Sequence, residues 1–354
     1  MIDEPVPGLD LQCSDLLTES QLYQALGVAT ALVDPLPGMG YEVVGQAPRP
    51  YDFAMQAAGG IECRWSNGQP AHTYSNSDDD DVLSDNPSYA AVTVDILPDS
   101  ASEQDLYRKY YGGLTVVDNV LCYNDLMVGV SVHCRSMSMI GSTWMTLFLV
   151  VPLSSDRAAA TAQTELTKPI WSSVMATVAG AAAQANRYSP PVDLVELEFS
   201  CEQFVSRSEA RSVLATREEP FLDASGEIWD LRYSGDRIAK SNHCSWFEGG
   251  EYQSVRTFKS VGIFNTFLSG GGWALEEVMA ESPYAFEPVD LTGLAPGDAA
   301  YLDCSTSARC NLHLDIGFSW IMFERVEAEA PGAVPIDRRT LIRLGELTVA
   351  NLSG

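Results

Sequence analysis

The pattern of apolar and polar positions predicts short strands separated by helices. In the first half, strands are predicted at Ala91 to Leu97 and at Leu114 to Leu121, with a helix between them at Ser102 to Tyr111. The second half repeats this order at Ser254 to Phe267, Trp273 to Ser282 and Ala299 to Asp303. The shared order is a first indication of an internal repeat.

Further elements extend the repeat at both ends. Earlier strands are predicted at Tyr41 to Val44 and at Ile228 to Tyr233. A glycine turn and a buried strand come later in each half, and the tryptophans of these strands, Trp144 and Trp320, are equivalent in the repeat.

Each half ends in a predicted helix. The first, about Ser155 to Ala185, is alanine-rich and contains Pro169, which must start, break or kink part of it. The second, Ile336 to Leu352, has leucines at helical spacing. The double proline within residues 186–191 is typical of a linker, so we predict two domains, residues 1–188 and 189–354.

The eight cysteines follow the same repeat. They are Cys13, Cys63, Cys122 and Cys134 in the first half, and Cys201, Cys244, Cys304 and Cys310 in the second. The interval from second to third cysteine is 59 positions in one half and 60 in the other, and each second cysteine begins a Cys-x-Trp. Spacing this similar is hard to obtain by chance.

Both halves also begin their first helix alike. Thr18 has a glutamine three residues later, and Ser206 has a glutamate three residues later, which is the spacing of a capping box. Because the predicted strands follow one another through short loops, we expect antiparallel sheets. The predicted fold class is α+β, with two tandem repeated domains, each built on an antiparallel sheet.

Disulfides explain the cysteines better than metal or redox chemistry does. There is no Cys-x-x-Cys and no zinc-ribbon spacing. Four cysteines per domain allow three pairings, and the simplest one for a repeat is Cys13 with Cys63, Cys122 with Cys134, Cys201 with Cys244, and Cys304 with Cys310. Stable disulfides indicate an exported protein, extracellular or on the cell surface.

The chain is strongly acidic, with a formal net charge of −27, and neither half is basic. Without a basic cluster to neutralise phosphates, nucleic acid and anionic lipid are excluded as expected partners. No apolar stretch of about 20 residues could span a membrane. The sequence also contains no signal-peptide core, and residues 1–8 are typical of a tether. We therefore expect that a signal or lipid anchor of the precursor is missing from this sequence.

The stretch Val289 to Tyr301, which contains Gly297-Asp298-Ala-Ala300-Tyr301, carries a resemblance to a known family. Together with the leading cysteine, the Cys-x-Trp and the C-terminal helix, it resembles actinobacterial envelope lipoprotein domains of unknown function. The first half has Thr115-Val-Val-Asp-Asn119 at this place instead. The resemblance implies a PsbP-like α+β fold for each domain, which is a curved antiparallel sheet backed by helices, and it implies no activity.

Two candidate sites stand out where the halves differ. Asp78, Asp79, Asp80 and Asp81 could supply oxygen ligands to calcium, but the EF-hand spacing is absent and a solvated acidic loop is the favoured interpretation. Tyr107, Tyr110 and Tyr111 would form an interaction patch if they were exposed. Trp65, Trp144, Trp246 and Trp320 are predicted to lie in the core.

The sequence offers little for catalysis. His133 and His243 each precede a cysteine, but a cysteine in a disulfide cannot act as a nucleophile, and adjacent strand residues point to opposite faces. Gly270-Gly-Gly272 is expected to be a helix entry rather than an anion site.

The predicted function is therefore binding or scaffolding in the cell envelope, through a protein partner or a small ligand, without enzymatic activity or cofactor. Two alternatives stay open. One is an extracellular hydrolase that uses paired carboxylates in an interdomain cleft, and the other is a subunit of a larger surface assembly.

Overall fold

The computed structural model describes residues 4–33, 48–70, 72–77, 80–111, 119–124, 131–152, 159–183, 194–198, 200–214, 220–223, 231–247, 262–281, 285–306, 309–326 and 338–353. The fold is α+β, as predicted from the sequence, with two large antiparallel sheets that are each backed by helices. The proposed domain boundary at residue 188 lies outside the described residues.

The first sheet has six strands. In spatial order they are β1 (Ala31–Val33), β2 (Ile61–Ser66), β5 (Ala91–Leu97), β8 (Thr143–Pro152), β7 (Ser131–Ile140) and β6 (Leu121–Asn124). Every neighbouring pair is antiparallel. A separate two-stranded sheet, β3 (His72–Ser77) with β4 (Asp80–Asp85), is inserted between β2 and β5 in the chain.

The second sheet repeats this order and adds one strand. Its strands are β9 (Phe221–Asp223), β10 (Ser241–Phe247), β11 (Gly262–Leu268), β15 (Ser319–Val326), β14 (Arg309–Ile316), β13 (Ala299–Thr306) and β12 (Phe286–Pro288). The first six correspond in position and direction to the six strands of the first sheet. β12 is the addition, and it lies at the edge beside β13.

The helices of the two halves surround these sheets. They are α1 (Cys13–Leu16), α2 (Glu19–Leu26), α3 (Ala54–Ala57), α4 (Ala101–Tyr111), α5 (Ala159–Gly180), α6 (Arg207–Leu214), α7 (Leu231–Ala239), α8 (Gly272–Glu281) and α9 (Arg338–Ser353). Short 3-10 helices occur at Pro50–Phe53 and Cys201–Gln203. None of the helices in the described ranges has the length and hydropathy to cross a bilayer.

One face of each sheet forms a hydrophobic core. In the first half, Cys63 and Trp65 of β2 pack with α5, which contributes Ile170 and Trp171. In the second half, Cys244 and Trp246 of β10 pack with Phe204 and the leucines of α9. The predicted core positions of Trp65, Trp144, Trp246 and Trp320 are confirmed, since all four are buried.

The disulfides join the cysteines in the four predicted pairs, and none of the eight is free. Cys13–Cys63 and Cys201–Cys244 tie the start of each half to its Cys-x-Trp strand. Both predicted capping boxes are also present. Thr18 Oγ1 accepts from the backbone N–H of Gln21, and Ser206 Oγ accepts from that of Glu209.

Several predicted elements need correction. The predicted strand Ile228 to Tyr233 is wrong at its end, because Leu231 begins helix α7. Leu231, Ser234 and Gly235, at positions i, i+3 and i+4, are all buried, and this is the spacing of one face of a helix. Helix α5 passes through Pro169 without ending. The predicted strand Tyr41 to Val44 lies outside the described residues, as do residues 114–118 and 254–261 of two others.

Each half packs a short segment against the sheet of the other half. We call this reciprocal contact the interlock, formed by residues 50–57 and α7: Pro50–Phe53 lies on the second sheet, α7 lies on the first sheet, and α3 packs against α7. Both segments directly precede a Cys-x-Trp strand, and each is followed by a residue with left-handed backbone, Gly59 (φ 74°) and Lys240 (φ 51°). The two halves therefore use equivalent segments to hold each other.

Candidate functional site

The sheet faces opposite the two cores, here called the outer faces, are covered to different extents. In the second half the interlock covers much of this face. The ring of Phe53 lies 5.6 Å from that of Trp273 and 5.8 Å from that of Trp320. Arg49 donates to both carboxylate oxygens of Glu324, at 2.6 and 3.0 Å, and its guanidinium lies 5.1 Å from the ring of Phe264. Packed aromatic rings and an ion pair therefore cover this part of the outer face of the second sheet.

The outer face of the first sheet is covered at one end by the same interlock. There Leu97 and Trp144 pack with Met55 and with Leu231 of α7. Tyr107 of α4 joins this cluster, with its ring 5.3 Å from that of Trp144. Arg237 of α7 forms an ion pair with Glu103 of α4 at 3.1 Å.

At the other end of this face lie four residues that we call the cation–aromatic patch: Tyr123, His133, Arg135 and Phe148. The register of three adjacent strands brings them together, because Tyr123 of β6 lies opposite His133 of β7, and Arg135 of β7 lies opposite Phe148 of β8. The Arg135 guanidinium is 5.5 Å from the ring of Phe148 and 5.7 Å from that of Tyr123. It therefore lies within cation–π distance of two aromatic rings.

Histidine completes the patch. The His133 ring packs edge-on against Phe148 at 5.5 Å and tilted against Tyr123 at 5.8 Å. Its Nε2 is 2.8 Å from the hydroxyl of Ser131. The patch residues alternate with Cys122 and Cys134 along their strands, so the disulfide that joins β6 to β7 on the core side holds the patch strands together on the outer side.

The charge environment of Arg135 differs from that of five other arginines in the described ranges. The protein has 48 acidic and 21 basic residues. Arg49, Arg207, Arg237, Arg338 and Arg343 each pair with a glutamate. Arg135 is exposed, and within the described part of the chain no carboxylate pairs with it. A guanidinium held over two rings in this way can bind an anion through hydrogen bonds and a flat group through stacking.

A second group of ionisable residues lies on the outer face of the second sheet. His313 of β14 is completely buried, and its Nδ1 accepts from the indole N–H of Trp320 at 3.2 Å. Burial lowers the pKa of His313 to about 3. Burial, together with Asp298 and Glu276, raises the pKa of the neighbouring Asp315 to about 6. Burial also raises the pKa of Asp303.

The pKa shifts of His313 and Asp315 predict opposite dependences of stability on pH. The pKa of His313 is lowered by folding, so its contribution is present above pH 6.5 and is lost as the pH falls towards 3. The raised pKa of Asp315 has the opposite effect, because protonation below about pH 6 favours the folded state. Between pH 7 and pH 5, we expect the free energy of unfolding of His313→Gln to fall by about 2 kcal/mol less than that of the wild type. Urea unfolding at both pH values measures this difference.

Asp315→Asn is the matched variant in that experiment. It removes the group that gains stability on acidification, so it should make the protein more sensitive to acid than the wild type. If both variants followed the wild-type pH profile, neither group would titrate differently in the folded and unfolded states, and the two shifts would be wrong.

The residues predicted as sites fall in different places. Asp80 and Asp81 belong to β4, where Asp80 pairs with Ser77, while Asp78 and Asp79 lie outside the described residues. Among the residues that are described, no group of three or more His, Cys, Asp or Glu is arranged to hold a metal. Of the three tyrosines, Tyr107 packs into the interlock cluster around Trp144.

Sequence reasoning did not find the cation–aromatic patch. The sequence pattern singles out His133 only through its neighbouring cysteine. The signal was present, since Tyr123, His133 and Arg135 each flank a cysteine of one disulfide and so must share the face opposite the bridge. Gly272 begins helix α8, which agrees with the predicted helix entry.

Comparisons with known proteins add little to this geometry. No family model matches the chain, and no curated protein matches it. Among solved structures, the crystal structure of the di-domain ARO/CYC StfQ from the steffimycin biosynthetic pathway aligns with 99% of this chain and 93% of its own. The TM-score is 0.17 and the identity 10%, so this likeness carries no argument about fold or function.

Proposed function

We propose that this protein is exported and acts in the cell envelope by binding, without catalysis, and that the cation–aromatic patch is its binding surface. The observation that supports this most directly is the position of Arg135, an exposed guanidinium held over Tyr123 and Phe148 in a chain of net charge −27. Aromatic and arginine side chains are the residues that contribute most at protein interfaces.

Export is supported by the disulfides. Four disulfides and no free cysteine fit an oxidising compartment. The resemblance to envelope lipoprotein domains suggests anchoring by a lipid in the precursor. The common strand order of the two sheets suggests that the halves arose by duplication. In the second half the interlock covers much of the outer face and β12 covers the edge of the sheet, whereas the outer face of the first half carries the patch.

Site-specific crosslinking tests the proposed surface. A photoreactive p-benzoylphenylalanine in place of Phe148 should crosslink a defined partner on intact cells that produce the protein. The same group in place of Tyr23, which is 59% exposed on α2, is the control and should crosslink nothing specific. Equal crosslinking from both positions, or none from Phe148, would contradict the proposal.

A hydrolase remains the second candidate because of one observation. The raised pKa of Asp315, near Asp298 and Glu276, is the property expected of a general acid. Hydrolysis of a glycan or peptide library by the wild type, abolished in Asp315→Asn, would favour this alternative over binding.

A further inference from the structure

The edge strand beside the cation–aromatic patch has a counterpart in the second half, and that counterpart has a partner. β12 pairs with β13 there, with Glu287 opposite Leu302 and Phe286 opposite Asp303. The backbone N–H of Val289 donates to the carbonyl of Ala300 at 2.9 Å. The edge of the second sheet is therefore covered by a short segment of the chain itself.

β6 is the strand of the first sheet that corresponds to β13. Cys122 lies opposite Cys134, as Cys304 lies opposite Cys310, and both pairs have a Cα–Cα distance of 4.0 Å. This short distance identifies non-hydrogen-bonded pairs of an antiparallel ladder, whose N–H and C=O groups point away from the neighbouring strand. By alternation, the backbone groups of Cys122 and Asn124 point outwards, and those of Leu121 and Tyr123 bond to β7.

The outer side of β6 pairs with no strand in the described ranges. Leu121 at this edge is 49% exposed. Leu121 also corresponds to Asp303 of β13, the residue opposite Phe286, and it lies in register with Arg135. A side chain in the position of Phe286 would therefore lie in line with Leu121 and Arg135 on the outer face.

The side chains that such a strand would meet define its chemistry. Arg135 favours a carboxylate in a partner strand, and an aromatic residue of that strand could pack against the ring of Tyr123. The positions of the partner strand that face the core, in line with Cys122, should hold β-branched apolar residues. The partner sequence should thus alternate acidic or aromatic residues with valine or isoleucine.

We infer that an extended acidic segment of a partner protein binds as an added strand beside β6, in the place that β12 occupies in the second half, with its carboxylates against Arg135. Backbone hydrogen bonds to Cys122 and Asn124 would give affinity, and the patch would give specificity. This inference rests on the proposed binding function and specifies the partner.

A synthetic peptide tests the inference on the full-length protein. The peptide acetyl-Ser-Glu-Val-Tyr-Val-Glu-Ser-amide, with a fluorescent label, should bind and should slow amide exchange at Cys122 and Asn124 but leave Leu121 and Tyr123 unchanged. Methylation of the two valine nitrogens removes the donors to β6 and should abolish binding. Arg135→Gln should weaken binding about tenfold, and Arg339→Gln, the exposed control on α9, should leave it unchanged.

The outcomes separate the inference from the proposed function. If the N-methylated peptide binds as well as the parent while Arg135→Gln still weakens binding, strand addition is wrong and the patch remains a binding surface. If the peptide fails to bind at millimolar concentration, the inference is also wrong. A protein dimer that the peptide dissociates would assign the β6 edge to a second copy and overturn the partner assignment. Failure of the Phe148 crosslink would overturn the proposed function itself.

Discussion

Replacing Phe53 with alanine is expected to lower the free energy of unfolding by about 4 kcal/mol, which is a large part of the stability of an ordinary domain. Phe53 belongs to the first half of the chain but is buried in the second, between Trp273 and Trp320. Truncation removes these contacts and leaves a cavity under the interlock. Urea unfolding followed by tryptophan fluorescence measures the loss.

Tyr23→Ala is the control for this experiment, because Tyr23 is exposed on α2 and its truncation should change stability by less than about 0.5 kcal/mol. Amide exchange distinguishes the interlock from local packing. If Phe53 holds the halves together, its truncation should speed exchange in the first sheet as well as in the second. Faster exchange confined to β11 and β15 would mean that Phe53 only fills the core of the second half.

Close packing in the interlock supports a coupling between the stabilities of the two halves. Gly235 of α7 lies so close to Met55 that a Cβ at this position would come within 2.6 Å of the methionine sulfur. Two ion pairs flank the packed segments: Arg49–Glu324 lies on the second sheet, and Arg237–Glu103 joins α7 to α4. Apolar contact at the centre and charge pairs at the rim together favour a single arrangement of the halves.

Local sequence signals predicted much of this fold because local chemistry determines it. The capping boxes at Thr18 and Ser206 act over three residues, and β5 follows from its own run of apolar residues. The disulfide pairing followed from the repeat. In contrast, the strand predicted at Ile228 to Tyr233 overlaps the start of α7, because a short apolar run before a Cys-x-Trp fits either structure until the sheet that it covers is known.

The candidate site depends on register, which the sequence does not reveal in the same way. Arg135 and Phe148 are brought together by the pairing of β7 with β8. Alternation across the disulfide indicates which face these residues share, but only the register indicates which of them are neighbours. Tyr107 illustrates the same limit, since its helix was predicted but its packing against Trp144 was not.

Removing the Cys13–Cys63 disulfide should be the other large effect. Replacing both cysteines with alanine opens a loop of 50 positions, and the loss of chain restriction in the unfolded state is expected to cost about 4 kcal/mol. Alanine is suitable because Cys63 is buried in the apolar core with Trp65, where a serine hydroxyl would add a buried polar group. Urea unfolding under oxidising conditions measures the difference from the wild type.

Cys304 and Cys310 provide the matched comparison, because their bridge closes a separation of only 6 positions. The same double replacement there should cost about 2 kcal/mol if restriction of the unfolded chain is the main contribution. Equal losses for the two pairs would instead mean that the bridges act through contacts in the folded state. The two bridges should also differ in what their reduction does to the fold. The long bridge connects α1 to β2, so its reduction should release the N-terminal residues from the first core. Reduction of the short bridge should have less effect, because β13 and β14 keep their ladder of backbone hydrogen bonds without it.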